Sequence, residues 1–194
     1  MTASPHRPAI EALGLAEPAS GRLCRYLDTL AAWSQRVNLT AARSPGGRVR
    51  LLVADVLAGA ELPAPGRLID VGSGNGSPGL VFALLREDLE VTLLEPRARR
   101  WAFLREAARA SGVHVHVQRA RHDQYTGPPA LTLTLRALAL PLAELAPLVA
   151  EGGRILVLGG RPRAGLPFVL ERELPGVPGG LRLFARAPTV PRET

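Results

Sequence analysis

The sequence predicts an α/β domain whose mostly parallel sheet has helices on both faces, preceded by a small N-terminal helical extension. Three observations predict this fold. Short apolar segments typical of buried strands alternate with helical patterns in residues 63–194. A glycine-rich loop directly follows the first apolar segment, as in sheets that bind a ligand at the ends of their strands. Residues 1–62 contain only helical patterns, so we divide the chain into these two regions.

The N-terminal extension is predicted to contain two helices. Apolar residues recur at helical spacing within residues 17–37. A Ser-Pro-Gly-Gly sequence interrupts this pattern in residues 41–47, and residues 49–57 predict a second helix. Pro63 and Pro65 then end the region, because proline lacks the backbone N–H that a helix needs.

The second region predicts strands that alternate with helices. The predicted strands cover residues 68–71, 91–95, 114–117, 131–135 and 154–158, and the predicted helices cover residues 78–86, 97–110 and 141–150. This alternation indicates a parallel sheet that is covered on both faces. Two weaker strands at residues 167–172 and 181–186 flank a segment rich in proline and glycine, and they predict a hairpin that closes one edge of the sheet.

The composition narrows the possible functions. All 24 basic residues are arginine, and the absence of lysine excludes Schiff-base chemistry and a phosphate loop of the Walker type. The net charge of +7 attracts polyanions such as nucleic acid. Cys24 is the only cysteine, so we expect no disulfide within the chain and no metal. The chain has no apolar run of membrane-spanning length and no pattern typical of a signal peptide, so we expect a cytoplasmic protein.

A candidate cofactor pocket lies where the first strand ends. Three alternating glycines follow Asp70 in this loop, namely Gly72, Gly74 and Gly76. Residues without a Cβ adopt left-handed dihedrals easily and let a ligand contact backbone N–H groups. Ser77 and Pro78 predict the N-cap and the first residue of the following helix, whose positive end then faces the ligand.

The acid at the strand end indicates which ligand the loop binds. Asp70 would repel a phosphate, but it attracts the ammonium and sulfonium groups of S-adenosylmethionine. A dinucleotide fingerprint is the alternative, because Gly74, Gly76 and Gly79 match its spacing and Glu95 lies where its ribose-binding acid belongs. This alternative fits less well, because its first glycine, Gly74, lies too far beyond the end of the predicted strand. A turn that merely connects strand and helix would not need three alternating glycines.

The ends of the other strands complete the predicted pocket, because ligands bind at the carboxyl ends of parallel strands. Glu95 follows the second strand and is predicted to bind both ribose hydroxyls, although a surface acid that caps the next helix is the alternative. Ala120 and Arg121 follow the third strand and are predicted to frame an adenine. Arg136 ends the fourth strand, where an apolar strand has little use for an arginine unless an anionic or carbonyl-rich group contacts it.

Five segments of the chain carry a resemblance to a known family. They are Trp33-Ser-Gln-Arg-Val-Asn-Leu-Thr-Ala41, Asp70-Val-Gly-Ser-Gly-Asn-Gly-Ser-Pro-Gly79, Phe103-Leu104, Arg136-Ala137 and Gly152-Gly153. With these segments in this order, from about residue 20 to residue 160, the chain resembles the bacterial 16S ribosomal RNA guanine-N7 methyltransferase family, also known as glucose-inhibited division protein B. The segment that begins at Trp33 is the specific part, since glycine loops are common to all methyltransferases of this fold.

The resemblance implies a Rossmann-like methyltransferase fold, S-adenosyl-L-methionine as cofactor, and methyl transfer to N7 of a guanine in 16S ribosomal RNA. The implied partner is this RNA or the small ribosomal subunit. We expect no contact with a membrane, and we expect a monomer. The residues expected to bind the cofactor are Asp70, Gly72, Ser73, Gly74, Gly76, Ser77, Glu95, Ala120, Arg121 and Arg136. Arg136 is also the expected catalytic residue, which orients the base. The candidate phosphate contacts, each of which also fits a solvated surface, are Arg43, Arg48, Arg50, Arg97, Arg99 and Arg100.

The chain departs from the family pattern at several positions near the expected site. At five positions this chain has a residue that differs from the one usual in the family, which is given in parentheses: Leu52 (histidine), Ser77 (phenylalanine), Arg121 (an acid), Leu131 (aspartate) and Gly159 (lysine). The chain is also shorter than typical members. Two alternatives therefore stay open: a methyltransferase that acts on a small molecule, and a non-catalytic relative that binds the cofactor weakly.

Overall fold

The chain folds around one seven-stranded sheet. The computed structural model describes residues 3–160, 162–174 and 180–187. The strands are β1 (Gly66–Val71), β2 (Leu89–Leu94), β3 (His116–Gln118), β4 (Ala130–Arg136), β5 (Val149–Leu158), β6 (Phe168–Leu174) and β7 (Leu181–Arg186). Their order is β3-β2-β1-β4-β5-β7-β6. The first five strands pair in parallel and β7 is antiparallel to β5 and β6, so the predicted mostly parallel sheet is confirmed.

The last two strands form the hairpin that the sequence predicts at one edge of the sheet. β7 pairs with β5, and β6 pairs with the outer side of β7. The strand predicted over residues 167–172 extends to Leu174. The turn predicted between these two strands lies mostly in residues 175–179, which are outside the described residues.

All α-helices of the described residues precede β3 in the chain. They are α1 (Arg7–Glu11), α2 (Ala19–Trp33), α3 (Pro45–Val49), α4 (Asp55–Ala58), α5 (Gly79–Leu85) and α6 (Ala98–Ser111), with a π-helical turn (Arg50–Ala54) between α3 and α4. Among the described residues, no helix combines the length and the apolar character that crossing a membrane requires.

The N-terminal extension is more helical than the sequence predicts. The helix predicted over residues 49–57 is the second part of a helical run that covers residues 45–58. The Oγ atom of Ser44 accepts a hydrogen bond from the Gly47 N–H at 3.1 Å, which caps the start of this run. The Ser-Pro-Gly-Gly sequence therefore begins a helix, and the prediction of an interruption through residues 41–47 is wrong in its second half.

The start of α5 also differs from the prediction. Ser77 is not the N-cap, because α5 begins at Gly79 and Pro78 precedes it without a side-chain cap. The Oγ atom of Ser77 instead donates a hydrogen bond to the carbonyl oxygen of Leu52 at 2.7 Å. This buried hydroxyl therefore joins the glycine loop to the π-helical turn of the N-terminal extension.

The helix predicted over residues 141–150 is a 3₁₀ helix at Leu142–Leu148. Pro147 lies inside this segment and offers no backbone donor, which disfavours an α-helix. Val149 already pairs with Ala130 as the first residue of β5. The prediction of an α-helix here is wrong because the end of the segment belongs to the sheet.

Two hydrophobic cores lie on opposite faces of the sheet. The first core contains buried residues of every α-helix together with Leu68 of β1. The second core contains Ile69 of β1 and Leu145 of the 3₁₀ helix, because successive side chains of a strand point to opposite faces. The sequence predicts helices on both faces of the sheet, and on this second face the helix that packs against the sheet is the 3₁₀ helix and not an α-helix. Since α2 and α5 share one core, the domain boundary at residue 62 stays a prediction.

A glycine at the start of α5 provides a test of this packing. A Cβ on Gly79 would lie 2.4 Å from the Asp70 Cβ, whereas a Cβ on the helical Gly46 would meet nothing within 4 Å. We expect Gly79→Ala to lower the free energy of unfolding by about 1–3 kcal/mol, the usual cost of overpacking a core. The control Gly46→Ala should raise it by about 0.4–1 kcal/mol. Urea denaturation measures both, and equal values for the two variants would contradict the packing.

Candidate active site

The glycine loop between β1 and α5 has the backbone conformation that the sequence predicts. The φ angles are +70° at Gly72, +47° at Gly74 and +92° at Gly76, so all three lie in the left-handed region. A Cβ on Gly74 would lie 3.5 Å from Nη1 of Arg100 and 3.8 Å from Oε2 of Glu95. The Cβ position of Gly74 is therefore in van der Waals contact with a guanidinium and a carboxylate, and the loop faces these two charged groups.

The N-terminal extension holds this loop from one side. The phenol of Tyr26 donates a hydrogen bond to the carbonyl oxygen of Asn75 at 2.8 Å, and the Asn75 side chain donates to the carbonyl oxygen of Leu39 at 3.2 Å. The hydrogen bond from Ser77 to Leu52 adds a third anchor. Tyr26 is fully buried, and burial raises the pKa of its phenol, so it remains a hydrogen-bond donor.

Glu95 connects the glycine loop to the start of α6. Its Oε2 atom accepts a hydrogen bond from the Gly74 N–H at 2.9 Å, and its Oε1 atom accepts one from the Arg97 N–H at 2.8 Å. The alternative of a surface acid is wrong because Glu95 is buried, although its contact with the Arg97 N–H does lie directly before the first residue of α6. Each carboxylate oxygen has two lone pairs, so both retain a site for a further donor. Binding of ribose hydroxyls at Glu95 stays a prediction.

Asp70 lies beneath the loop and is fully buried. The Oγ1 atom of Thr134 donates a hydrogen bond to its Oδ1 atom at 2.7 Å, and its Oδ2 atom has no partner among the described residues. Burial raises the pKa of Asp70 to about 6, although the hydrogen bond from Thr134 and the charge of Arg136 act in the opposite direction. Direct contact between this carboxyl and a ligand stays a prediction.

Arg136 contacts the N-terminal extension through two oxygen atoms. Its Nη1 atom donates a hydrogen bond to the Leu51 carbonyl oxygen at 2.7 Å and lies 3.3 Å from Oδ2 of Asp55. Asp55 is buried, and burial raises its pKa while the charge of Arg136 lowers it. The next residue, Ala137, has a φ of +51°, a conformation that non-glycine residues adopt at some cost. An acid and an arginine thus meet at the end of β4.

Sequence reasoning did not identify Asp55 as a site residue. The available signal was its place as the only charged residue among the apolar residues 51–58. An acid in a buried helix needs a partner, and the sequence does not show that this partner is Arg136.

The residues that follow β3 lie at the same edge of the sheet. The Glu95 N–H donates a hydrogen bond to the Gln118 carbonyl oxygen at 3.1 Å, which joins the ends of β2 and β3. Arg121 is exposed, and its Nε atom lies 3.2 Å from Oδ1 of Asp123. No described hydrogen bond connects Ala120 or Arg121 to the glycine loop, so their contact with an adenine stays a prediction.

Three of the six arginines predicted to contact RNA line two cavities. Arg43 and Arg50 line a cavity of about 340 Å³ that also contacts Asp55. Arg99 lines a second cavity beside α2. The remaining three are half-buried Arg48, exposed Arg97, and Arg100, whose Nη2 atom donates to the Asn38 carbonyl oxygen at 3.0 Å. Arg100 therefore lies at the glycine loop, which makes it a weaker candidate for RNA than the others.

Comparison with known proteins identifies the family. Residues 20–164 match the family GidB, described as rRNA small subunit methyltransferase G. This chain belongs to that family. A ribosomal RNA small subunit methyltransferase G from Halorhodospira halophila is 38% identical over 177 residues, which cover 84% of this chain and 84% of the relative. Another from Alkalilimnicola ehrlichii is 36% identical over 193 residues, which cover 94% of this chain and 84% of the relative.

Solved structures confirm the fold of this methyltransferase G family member. An RNA methyltransferase from Salinibacter ruber, in complex with S-adenosyl-L-homocysteine, superposes with a TM-score of 0.57 at 17% identity. The match covers 71% of this chain and 94% of that chain. At this identity the likeness shows the fold alone, and it confirms the Rossmann-like methyltransferase fold.

The departures from the family pattern differ in how they relate to the site. Leu52 is buried and contacts the glycine loop through its carbonyl oxygen, which accepts the hydrogen bond from Ser77. Leu131 is exposed on β4, and Gly159 has a φ of +69° with nothing within 4 Å of its Cβ position. Arg121 has its own partner in Asp123. Of these five residues, Ser77 lies in the loop itself and Leu52 is hydrogen-bonded to it.

The buried carboxyl of Asp70 predicts an unusual pH dependence of stability. Because the folded-state pKa is raised to about 6, the native protein binds this proton more tightly than the unfolded chain between about pH 4 and pH 6. The stability contributed by the protonated carboxyl is present at low pH and is lost as pH rises through this window. We expect the free energy of unfolding of Asp70→Asn, relative to wild type, to increase by up to about 3 kcal/mol from pH 4 to pH 7.

An exposed aspartate is the control for this experiment. Arg86 lowers the pKa of Asp88, so the stability contributed by ionised Asp88 is lost as pH falls. The free energy of unfolding of Asp88→Asn, relative to wild type, should therefore decrease from low to neutral pH. Urea denaturation across this pH range measures both variants. A difference for Asp70→Asn that does not change with pH would contradict the burial of an ionisable carboxyl.

Proposed function

We propose that this chain transfers a methyl group from S-adenosyl-L-methionine to N7 of a guanine in 16S ribosomal RNA. The observation that carries the proposal is the left-handed loop at Gly72, Gly74 and Gly76, joined to Glu95 at the neighbouring strand end. Membership of the methyltransferase G family supports a small-subunit RNA as the substrate. A ribosomal substrate in turn supports a cytoplasmic protein, and a monomer remains our prediction.

The residues around the loop suit this cofactor. A side chain at position 74 would contact Arg100 and Glu95, the two charged groups that face the loop. Glu95 has free lone pairs for ribose hydroxyls, and ionised Asp70 beneath the loop favours a positively charged ligand. Arg100, next to Gly74, is positioned to bind a carboxylate such as that of the methionine moiety. When bound there, S-adenosylmethionine supplies an electrophilic methyl group on its sulfonium.

Methylation at guanine N7 requires little acid–base chemistry from the protein. N7 has a free lone pair, so no side chain has to remove a proton before the methyl group is transferred. The protein has to hold the base in line with the methyl group and exclude water. Arg136 is our candidate for this positioning, because its side chain is largely buried at the end of β4 beside the strand that carries the loop.

A basic groove between α2 and α6 supports RNA as the substrate. It consists of two adjoining cavities of about 610 Å³ and 700 Å³, which share Trp33. Its charged and aromatic lining consists of Trp33, Arg36, Arg99, Trp101, Arg105, Arg109 and one acid, Glu106, which pairs with Arg109. The Arg105 guanidinium lies 4.9 Å from the centre of the Trp101 ring. Unpaired bases stack on aromatic rings and arginine planes, and arginines neutralise phosphates, so the groove suits single-stranded RNA.

Methylation of ribosomal RNA is the direct test of the proposed activity. The chain is incubated with labelled S-adenosylmethionine and with either 16S RNA or small subunits from a strain that lacks the modification. N7-methylguanine is then mapped by borohydride reduction and aniline cleavage. We expect label at one guanine. Binding of the cofactor without label in either RNA substrate would favour the small-molecule alternative, and absence of cofactor binding would favour the non-catalytic one.

A variant of Glu95 tests the cofactor site within the same assay. We expect Glu95→Gln to weaken S-adenosylmethionine binding by about 1–3 kcal/mol, because charge-assisted hydrogen bonds are lost. The control is Glu90→Gln, which changes an exposed acid near the opposite end of β2. Calorimetric titration measures both affinities. Equal affinity in wild type and Glu95→Gln would show that the cofactor binds elsewhere.

The groove predicts a salt-dependent contribution to RNA binding. We expect the double variant Arg99→Gln and Arg105→Gln to bind 16S RNA more weakly and to reduce the slope of log affinity against log salt by about 1–2. The control Arg172→Gln removes an exposed arginine from β6, at the edge of the sheet. Filter binding over a salt series measures the slopes. Equal slopes for the double variant and the control would contradict RNA binding in the groove.

A further inference from the structure

None of the residues that line the cavity beside Asp55 belongs to the glycine loop. Its volume is about 340 Å³, within the range of small-molecule sites. Arg43 and Arg50 line it and are exposed, whereas Asp55 is buried with 4% of its surface accessible. A buried carboxylate in the wall of a cavity with cationic neighbours is typical of a site for a polar ligand.

The hydrogen bonds of Asp55 leave its Oδ1 atom free for a ligand and leave one lone pair of its Oδ2 atom unused. Oδ2 lies 3.3 Å from Nη1 of Arg136, and Oδ1 makes no hydrogen bond to any described residue. Burial raises the pKa of Asp55, and the charge and the hydrogen bond of Arg136 act in the opposite direction. A carboxylate held in this way accepts hydrogen bonds but donates none. The complementary ligand group therefore carries N–H donors.

Guanine is the nucleobase that matches this acceptor. Its Watson–Crick edge presents two adjacent donors, N1–H and the N2 amino group, which can bind the two oxygens of one carboxylate. Adenine and cytosine each present a single amino group beside an acceptor nitrogen, and uracil presents one N–H between two carbonyls. N7 lies on the opposite edge of guanine, so a base bound by its Watson–Crick edge leaves N7 free for methylation.

The position of Asp55 places this recognition next to the proposed reaction. Arg136 ends β4, which pairs with β1, and the glycine loop follows β1. The ion pair between Arg136 and Asp55 therefore joins the cavity to the strand ends where the cofactor is proposed to bind. Arg43 and Arg50 supply positive charge for the phosphates that flank the target nucleotide.

We infer that Asp55 recognises the target guanine through N1–H and the N2 amino group, and that the cavity lined by Arg43 and Arg50 holds this nucleotide. The inference rests on the proposed function, because it names the residue that selects guanine for methylation. Asp55 is the specificity residue in this arrangement, and Arg136 positions its carboxylate.

Inosine in place of the target guanosine tests the inference, because inosine has N7 and N1–H but no N2 amino group. Full-length 16S RNA is assembled by ligation with guanosine or inosine at the mapped position. We expect wild type to methylate the inosine RNA about 10- to 100-fold more slowly under single-turnover conditions. For Asp55→Asn, transfer to guanosine should be slower and the ratio of guanosine to inosine rates should fall to about 1–3.

Asp88→Asn is the matched control. Asp88 pairs with Arg86, and Arg86 also donates a hydrogen bond to the backbone carbonyl of Ala60, as Arg136 does to that of Leu51. This variant should retain the wild-type preference for guanosine. A purely structural role of Asp55 would slow both substrates equally in Asp55→Asn and leave the ratio unchanged, which would overturn the inference. If wild type methylates neither RNA, the proposed function fails, and this outcome is distinct from an unchanged ratio.

Discussion

The burial of Asp70 is the constraint on which the rest of the site depends. Its carboxyl lies between two central strands, where Thr134 donates a hydrogen bond at 2.7 Å. The same side chain occupies the position that a Cβ on Gly79 would need, so α5 can start close to the strand only with glycine there. The loop between them has little freedom in its path as a result. Burial raises the pKa of this carboxyl to about 6, so its ionised form at neutral pH is less stable than that of an exposed carboxyl, and functional sites commonly carry such a cost.

The N-terminal extension is part of the site and supports the loop from outside the sheet. Tyr26, Leu39 and Leu52 each make a hydrogen bond to the loop through a phenol or a carbonyl oxygen. Trp33 packs edge-on against Phe103, with ring centroids 5.9 Å apart, which attaches the end of α2 to α6. This packing gives a physical reason why the segment that begins at Trp33 belongs to the family pattern. A methyltransferase core without the extension would leave one side of its loop unsupported.

Arg136 links the two parts of the proposed active site. One part is the glycine loop with Glu95, which suits the methyl donor, and the other is the cavity with Asp55, which suits the base. Arg136 donates to the Leu51 carbonyl oxygen and pairs with Asp55, so the end of β4 is attached to the π-helical turn and the start of α4. The left-handed Ala137 directly after it turns the chain away from the strand. A single arginine therefore attaches the cavity beside Asp55 to the sheet whose strand β1 leads into the glycine loop.

The sequence by itself determined the features that depend on local pattern. Apolar runs and glycine spacing sufficed to predict the parallel sheet, the edge hairpin and the left-handed loop, because side-chain periodicity and the absence of a Cβ act within a few residues. Tertiary structure decided the partners of polar groups. Ser77 binds Leu52 instead of capping α5, and Asp55 meets Arg136, which is far away in the chain. Local pattern cannot predict such pairs, since a buried donor or acceptor takes whichever partner the packing brings within hydrogen-bond distance.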